Sequence, residues 1–406
     1  MPSAAPMATV AFCSPVRVGA LPTVPKECGG EAPRADRFRV VATFRYANPE
    51  VVHWGAGCVR DLLGPELRRL GFRRVFLVTT RSALAVPELA PAVESLLGDL
   101  LCGRALVGEH APAGSITAAA EAARGAGADG LLSLGGGSPV DGAKAVAFSL
   151  ATGLDLASEE ALALARKARL SKVLPHVAIP TTLSAAELSS GAGFSAEGTR
   201  EKVGVAAPGL LPAAVLYDAG LAVHTPLPLW LSTGIRAVDH AAETLLAPGE
   251  HPLPDAAALD GLRRLREGLL AAHANPADLA ARTLGQVGAW LSYLLPGPAA
   301  RGLSHTLGKR IGSRHGIPHG VTSCLLLPHV LRYLAPRAPR TAERIAQALG
   351  GAEAGSAVSD LVARLGLPQR LGAFQLSEAD LAEAVRPVAS AEYPAEDLLR
   401  ILRAAL

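Results

Sequence analysis

The chain has 406 residues, 50% of them hydrophobic and 18% charged, which is long enough for two domains with full cores. Its net charge of +3 is too small, and its basic residues too scattered, to call for a nucleic-acid or anionic-membrane partner. Five cysteines, Cys13, Cys28, Cys58, Cys102 and Cys324, are odd in number and show no CxxC spacing, so neither a disulfide framework nor a zinc ribbon is expected, and a reducing cytoplasm is. No apolar run reaches the length of a membrane span. Small-molecule chemistry is the expectation, carried out by a homodimer.

In chain order, residues 1–37 are Pro- and Ala-rich with little periodicity and read as a loosely ordered extension rather than a signal peptide. Phe38 to Phe44 alternates as a strand, Ala56 to Leu70 has helical spacing, and Val75 to Val78 is a buried strand. A second β/α unit has Ala118 to Arg124 as its helix and Gly125 as its stop. Next comes LLSLGGGSPVDGAKAVA, in which Leu131 to Leu134 reads as a buried parallel strand and Gly135, Gly136 and Gly137 let the backbone turn close to a ligand. Ser138 is placed to cap a helix, Pro139 suits its first position, and Asp141 falls three residues after the cap, as in a capping box. The N–H groups of that helix start would face a phosphate or pyrophosphate. A plain strand-to-helix turn would explain the glycines alone; the capping residues and Lys144 one turn on favour the nucleotide. After a polar helix, Glu159 to Ser171, a strand at Val177 to Ile179 ends in Pro180-Thr181-Thr182, and beyond Thr225 the chain reads as successive helices. The expected division is therefore an extension at 1–37, an α/β nucleotide-binding domain at 38–184 and an α-helical domain at 185–406, with the active site between the last two.

GGGSPVDGAK resembles the GGGSxxDxAK signature of the iron-containing (group III) alcohol dehydrogenase superfamily, and from about Phe44 onward the chain resembles its maleylacetate-reductase-like branch. The resemblance implies an α/β N-terminal Rossmann-like domain followed by an all-α C-terminal domain, the dehydroquinate synthase-like fold, with NAD or NADP as cofactor. Gly55 and Gly57 resemble the family's FGxG turn, and Asp218 the Asp of its DP-x-L-T turn. In the family, the loop after the Val75–Val78 strand faces the adenosine ribose, where an Asp favours NAD. Here Thr79, Thr80 and Arg81 stand instead; no carboxylate repels a 2′-phosphate and an arginine is available to pair with one, although an exposed loop arginine is the plain alternative. Thr181 and Thr182 match the IPTT motif that contacts the nicotinamide ribose and phosphates, or they simply end a strand. Ser184-Ala185-Ala186-Glu187 replaces the Gly-Ser-Glu of many members.

The superfamily's metal site uses an Asp and a His on one helix and two further His, with another His beside the nicotinamide. In STGIRAVDHAAET the Asp position is Arg236, while His240 is kept; in GLSHTLGKRIG, His305 is kept and the nicotinamide-side position is Lys309; in HGIPHG, His319 is kept. Asp239 is rotated roughly 100° from His240 on the helix and is a poor substitute for the lost carboxylate. A guanidinium about 4 Å from a divalent cation would be repelled by roughly 8 kcal/mol at an effective dielectric of about 20. The three histidines alone could hold a catalytic zinc, but the repulsion favours a metal-free site in which Arg236 and Lys309 act as the electrostatic groups; the reductase branch implies the same, although its usual replacement for the Asp is neutral rather than Arg. Taken singly, His240 and His305 could be satisfied helix histidines, and Arg236 an ion-pair partner of Asp239 or Glu243. His329 reads as an ordinary helix histidine, and His176, His224 and His315 carry no assignment.

The expected activity is NAD(P)-dependent hydride transfer to or from a carbonyl or alcohol, or an activated alkene, of a small carboxylate-bearing substrate. Gly135 to Ser138, Asp141, Lys144, Thr181 and Thr182 would form the cofactor wall, Arg236 would grip a carboxylate or polarise the reacting oxygen, and Lys309 with His305 would supply the proton. The alternatives are a dehydroquinate-synthase-like lyase or cyclase that keeps NAD bound, and a catalytically silent cofactor-binding partner protein.

Overall fold

The structure, a computed structural model, describes residues 44, 46, 48–108, 111–158, 164, 170, 172–196, 202–295 and 302–406. The expected extension, the strand at Phe38–Phe44 and the helix at Glu159–Ser171 lie outside these residues, apart from Phe44, Leu164 and Leu170.

The strands are β1 Val51–Trp54, β2 Val75–Thr79, β3 Leu101–Leu106, β4 Gly130–Gly135, β5 His176–Pro180, β6 Gly191–Ser195, β7 Lys202–Ala206 and β8 Ala214–Tyr217. Six form a parallel sheet in the order β1-β8-β5-β4-β2-β3, while β6 and β7 pair as a separate antiparallel ribbon. Every residue of β2, β4 and β5 is buried, as continuous apolar runs require when helices cover both faces of a sheet. The sheet takes β8 from beyond residue 184, the division expected from the sequence, so the α/β fold closes only at Tyr217.

Helices α1 Cys58–Arg69, α2 Arg81–Leu84, α3 Ala90–Leu97, α4 Ala113–Gly125 and α5 Gly137–Thr152 belong to this half. Leu63, Leu67 and Val93 of α1 and α3 pack with Val75, Leu77 and Leu132 on one face of the sheet. Ile116, Ala120, Val146 and Phe148 of α4 and α5 pack with Phe76, Val78 and Leu131 on the other. Two helix ends differ from expectation. Helix α4 runs from Ala113 through Gly125, and the left-handed residue that ends it is Gly127 (φ 61°). Helix α5 opens at Gly137 with Gly136 as its N-cap, so Ser138 lies inside the first turn and the N-cap residue itself has no side chain with which to cap the helix. Pro139 is tolerated there because first-turn N–H groups have no intrahelical acceptor to lose.

The helical half comprises α6 Ala219–Ala222, α7 Leu227–Leu246, α8 Pro252–Ala274, α9 Leu279–Ser292, α10 Leu303–His315, α11 His319–Leu334, α12 Pro339–Ala348, α13 Ala354–Arg364, α14 Glu378–Val385 and α15 Ala395–Ala404. Every residue of α7 from Gly234 to Leu245 is buried, so its polar side chains in that span must find partners inside the protein. Helices α8 and α9 touch backbone to backbone: a Cβ at Gly268 would lie 2.8 Å from the Ala281 carbonyl oxygen. Residues Phe44–Leu406 form one compact unit. Among the described residues no helix is long and apolar enough to cross a membrane.

Asp218, directly after β8, joins the two halves of this unit. Its carboxylate accepts the backbone N–H groups of Gly57 (2.9 Å), Val59 (3.0 Å) and Gly220 (2.8 Å). It thereby caps α1 and α6 together and holds the turn in which Gly55 and Gly57 take φ of 117° and 86°. Asp218→Ala should destabilise the protein by about 2 kcal/mol, the scale of a lost charged cap. Chemical denaturation measures it, and an unchanged midpoint would show that the turn holds without the carboxylate.

Candidate functional site

The chain leaves β2 toward β3 on one side, then crosses to β4 on the other side of β2 and continues through β5 to β8, which pairs with the first strand, β1. A reversal of this kind opens a crevice beyond the carboxyl ends of the two diverging strands. Thr79, Thr80 and Arg81 end β2, and Gly135 to Ser138 end β4. Thr79 is buried and its hydroxyl donates to the Leu134 carbonyl at 3.0 Å, so it binds the two strand ends to each other. Thr80 caps α2, accepting from the Ala83 N–H at 3.2 Å, and Arg81 is the exposed first residue of that helix.

Gly135 takes φ 134°, and a Cβ there would lie 2.9 Å from Cγ of Pro139, so only glycine lets β4 turn into α5. Thr182 packs over Gly136, where a Cβ would come within 3.1 Å of its Cγ2. The Thr181 N–H donates to the Gly135 carbonyl at 2.8 Å, and the Thr181 carbonyl accepts from the Thr225 hydroxyl at 2.7 Å. Both threonines are buried and brace the turn from behind. What reaches the cleft is the start of α5 itself, through Gly137 and Ser138.

Lys144 lies elsewhere than expected. It is fully buried, pairs with Asp141 at 2.7 Å, and donates to the carbonyls of Ala186 (2.9 Å), Ser189 (3.2 Å) and Gly191. The other Asp141 oxygen accepts the Gly193 N–H at 3.1 Å rather than reaching back to cap the helix. The pair therefore fastens the 186–193 segment and the β6–β7 ribbon onto α5, and only Asp141 of the two lines the cleft.

That cleft has a volume of about 840 Å³ and brings Gly137, Ser138 and Asp141 together with Arg236, His240, His305, Lys309 and His319. Arg236 and His240 are buried on α7, His305 and Lys309 lie on α10, and His319 opens α11. Gly320 allows that last placement: a Cβ there would lie 2.6 Å from the Ser232 carbonyl oxygen of α7. The His240 ring stacks on His305 with centroids 5.9 Å apart and meets Tyr293 edge-on at 4.8 Å. Lys309 is exposed on the cleft wall.

Behind the cleft lies a set of buried charges. Arg236 donates through Nη1 to Asp239 (3.4 Å) and Ser323 (3.1 Å), and through Nη2 to the His305 ring, 2.8 Å from Nε2. Asp239 also accepts from Ser304 (3.0 Å) and Ser323 (2.6 Å). Burial raises the Asp239 carboxyl above its ordinary value, opposed by Arg236 and the two serines. Glu243 accepts the backbone N–H groups of Gly302 (2.8 Å) and His305 (3.0 Å). Burial, then the neighbouring Asp239 charge, pushes Glu243 up to about 8. Among the described residues no three His, Cys, Asp or Glu side chains are grouped to hold a metal ion.

Sequence reasoning did not single out Ser304 and Ser323, the Arg310, Thr306 and Ser313 wall of α10, Tyr293, or the β6–β7 ribbon that lines the cleft. The α10 residues carried a readable signal, since Thr306, Lys309, Arg310 and Ser313 recur at helical spacing on one polar face. Glu243 was weighed only as an ion-pair partner of Arg236; its direct hydrogen bonds are to the start of α10.

The family model for iron-containing alcohol dehydrogenase matches residues 49–219, and that for the C-terminal part of the Fe-containing alcohol dehydrogenase family matches residues 230–399. The chain is 33% identical over 346 residues to the maleylacetate reductase of Pseudomonas sp. (strain P51), covering 84% of this chain and 90% of that one. It superposes on the crystal structure of maleylacetate reductase from Agrobacterium tumefaciens with a TM-score of 0.76 and 30% identity, covering 90% of this chain and 99% of that one. It shares the fold of sulfoacetaldehyde reductase from Bifidobacterium kashiwanohense, solved in complex with NAD+, with a TM-score of 0.79 and 22% identity over 90% of this chain and 99% of that one.

Glu243 gives the buried set a pH signature. Its carboxyl ordinarily titrates at 4.5 and is held at about 8 in the folded chain. Between those values the native state keeps a proton that the unfolded chain releases, so this group makes stability fall as pH rises through that window. Glu243→Gln cannot ionise and should flatten the fall. Denaturation at about pH 5 and about pH 8 reads the difference, and an unaltered pH slope in the variant would assign the effect to another group.

Proposed function

The chain belongs to the iron-containing alcohol dehydrogenase family, and from that premise we propose that it transfers hydride between a nicotinamide dinucleotide and a small carboxylate-bearing substrate. The chain is an oxidoreductase similar to maleylacetate reductases; the reacting carbon bears oxygen or belongs to an activated alkene. The observation that carries the reading is that the start of α5 and the Arg236, His305 and Lys309 cluster line one cleft.

The residues fit the cofactor. The crevice between the β2 and β4 ends offers a helix start built on glycine for the pyrophosphate, with Gly136, Gly137 and Ser138 nearest it, Thr181 and Thr182 bracing them, and Arg81 at the neighbouring strand end. When bound, NAD(P) supplies or accepts the hydride at nicotinamide C4. Arg236, held by Asp239 and Ser323 behind it, presents a fixed cation to a substrate carboxylate or to the oxygen on which charge develops. His305, in contact with Arg236, and Lys309 on the wall are placed to deliver the proton that accompanies the hydride.

The same residues do not fit a divalent cation. The family's ligand carboxylate is replaced by Arg236, whose guanidinium hydrogen-bonds the ring nitrogen that His305 would need for a metal. No step of the proposed reaction passes through a metal.

Two outcomes test this. If Arg81 meets a 2′-phosphate, Arg81→Ala should weaken NADPH by about 1.5 to 3 kcal/mol while leaving NADH nearly unchanged, as expected for one charge-assisted contact; fluorescence titration with both cofactors measures it, and equal losses would place Arg81 away from the ribose. Exhaustive chelation should leave net NADPH oxidation by maleylacetate intact, and elemental analysis should find no stoichiometric zinc or iron. About one tightly bound metal per chain, with activity lost on its removal, would overturn the metal-free reading. Bound cofactor that is never consumed would instead favour the lyase-like alternative.

A further inference from the structure

Helices α7 and α10 meet at two buried carboxylates that are absent from the cleft lining, Asp239 through the Ser304 side chain and Glu243 through the α10 backbone. Glu243 gives one oxygen to the Gly302 N–H at 2.8 Å and the other to the His305 N–H at 3.0 Å. These are among the N–H groups at a helix start that have no intrahelical acceptor, and no side chain of α10's own N-cap residue, Gly302, can serve them. The approach is close: a Cβ at Gly302 would lie 2.7 Å from Oε1 of Glu243. Seven positions earlier on the same helix, Arg236 reaches the His305 ring, with Nη2 at 2.8 Å from Nε2. His305 is thus held by α7 at two points, its backbone by Glu243 and its imidazole by Arg236.

We propose that Glu243 is a positioning residue, which fixes the start of α10 so that the His305 imidazole stays in register with Arg236. It touches neither cleft nor substrate and acts only through His305. Asp239, one turn earlier, holds Arg236 from behind with Ser323 and also accepts from Ser304 of α10, whereas Glu243 contacts the His305 backbone itself. The inference rests on the reading of Arg236 and His305 as reacting groups of the cleft. A carboxylate that served only as a helix cap would lower stability when removed and leave the ring contact as it was.

The test uses the full-length protein with ring-labelled histidine, the His305 resonance being assigned from its loss in His305→Gln. Arg236→Met gives the resonance position of His305 without its arginine contact. In Glu243→Ala the His305 resonance should move most of the way to that position, while the remote His53 and His251 resonances stay in place. Glu243→Gln keeps one acceptor oxygen and should move it less, in the same direction; it also decides the matter if the alanine variant does not fold. With NADPH and maleylacetate, kcat should fall by about 10- to 100-fold, the cost of a small misplacement of a reacting group, with the Kd for NADPH unchanged. A folded variant whose His305 resonance stays at the wild-type position overturns the proposal. Failure of the wild-type protein to bind NADPH or reduce maleylacetate would defeat the functional reading instead, and the resonance positions would still decide the role of Glu243.

Discussion

One guanidinium and two carboxylates are buried within two turns of α7, and the helical side of the cleft is arranged around satisfying them. Arg236, Asp239 and Glu243 are 7%, 0% and 4% exposed. A buried charge left without its partner costs about 3 to 5 kcal/mol, a large share of a typical protein's net stability. Ser304, Ser323, the start of α10 and the His305 ring all answer to that demand. The helices are therefore placed by polar contacts as well as by apolar packing. The residues that look like catalytic equipment and those that look like support belong to one network.

On the α/β side the same division recurs in a different form. Most of the signature GGGSPVDGAK serves to hold the turn rather than to meet a ligand: Gly135 makes it possible, Pro139 and Thr182 crowd it from two sides, and Lys144 turns inward. Lys144 anchors three carbonyls of the segment that leads into the β6–β7 ribbon, and Asp141 anchors the ribbon's Gly193. A motif lysine near a phosphate site invites a phosphate role, yet a lysine with no exposure and its charge matched by Asp141 is structural. In the same loop Ala185 takes φ 59°, a conformation costly for a residue with a Cβ. That strain sits where the loop lines the cleft.

The legible parts of the sequence were those in which one physical signal was strong. The runs at Val75, Leu131 and Val177 are short, apolar and followed by turn residues, and each is a central strand buried on both faces. Helix α7 was legible through His240 and the altered position at Arg236. What escaped were elements whose signal is diluted. Strands β1 and β8 are four residues each, too short to show alternation, and β6 and β7 carry Gly191, Gly193 and Gly204, which weaken any strand pattern. The start of α5 lies two residues before the position that Ser138 and Pro139 suggest, because Gly136 and Gly137 have no side chain to mark a cap and Pro139 suits any position of a first turn. Contacts such as Glu243 to Gly302 join residues 59 positions apart, and no local pattern encodes them.

The charge balance of α7 also explains why an arginine can stand where the family places a metal-binding carboxylate. With Arg236 beside Asp239 and a Glu243 that keeps its proton up to about pH 8, the formal charge of the set at neutral pH is zero. Replacing the arginine by a carboxylate and adding a divalent cation gives the same total, so the two arrangements are electrostatically interchangeable for the surrounding protein. They are not interchangeable step by step. An aspartate at 236 without its cation would put a second ionised carboxylate beside Asp239 in a space that already keeps Glu243 protonated up to about pH 8, and one of the two would have to take up a proton as well. Arginine avoids that intermediate because its charge is covalently attached. Its cost is geometric: the positive charge is tied to α7 by a side chain that Asp239 and Ser323 must hold in place, whereas a metal would be held by the ligands alone. Asp239 and Ser323 are the contacts that hold this buried side-chain charge from behind.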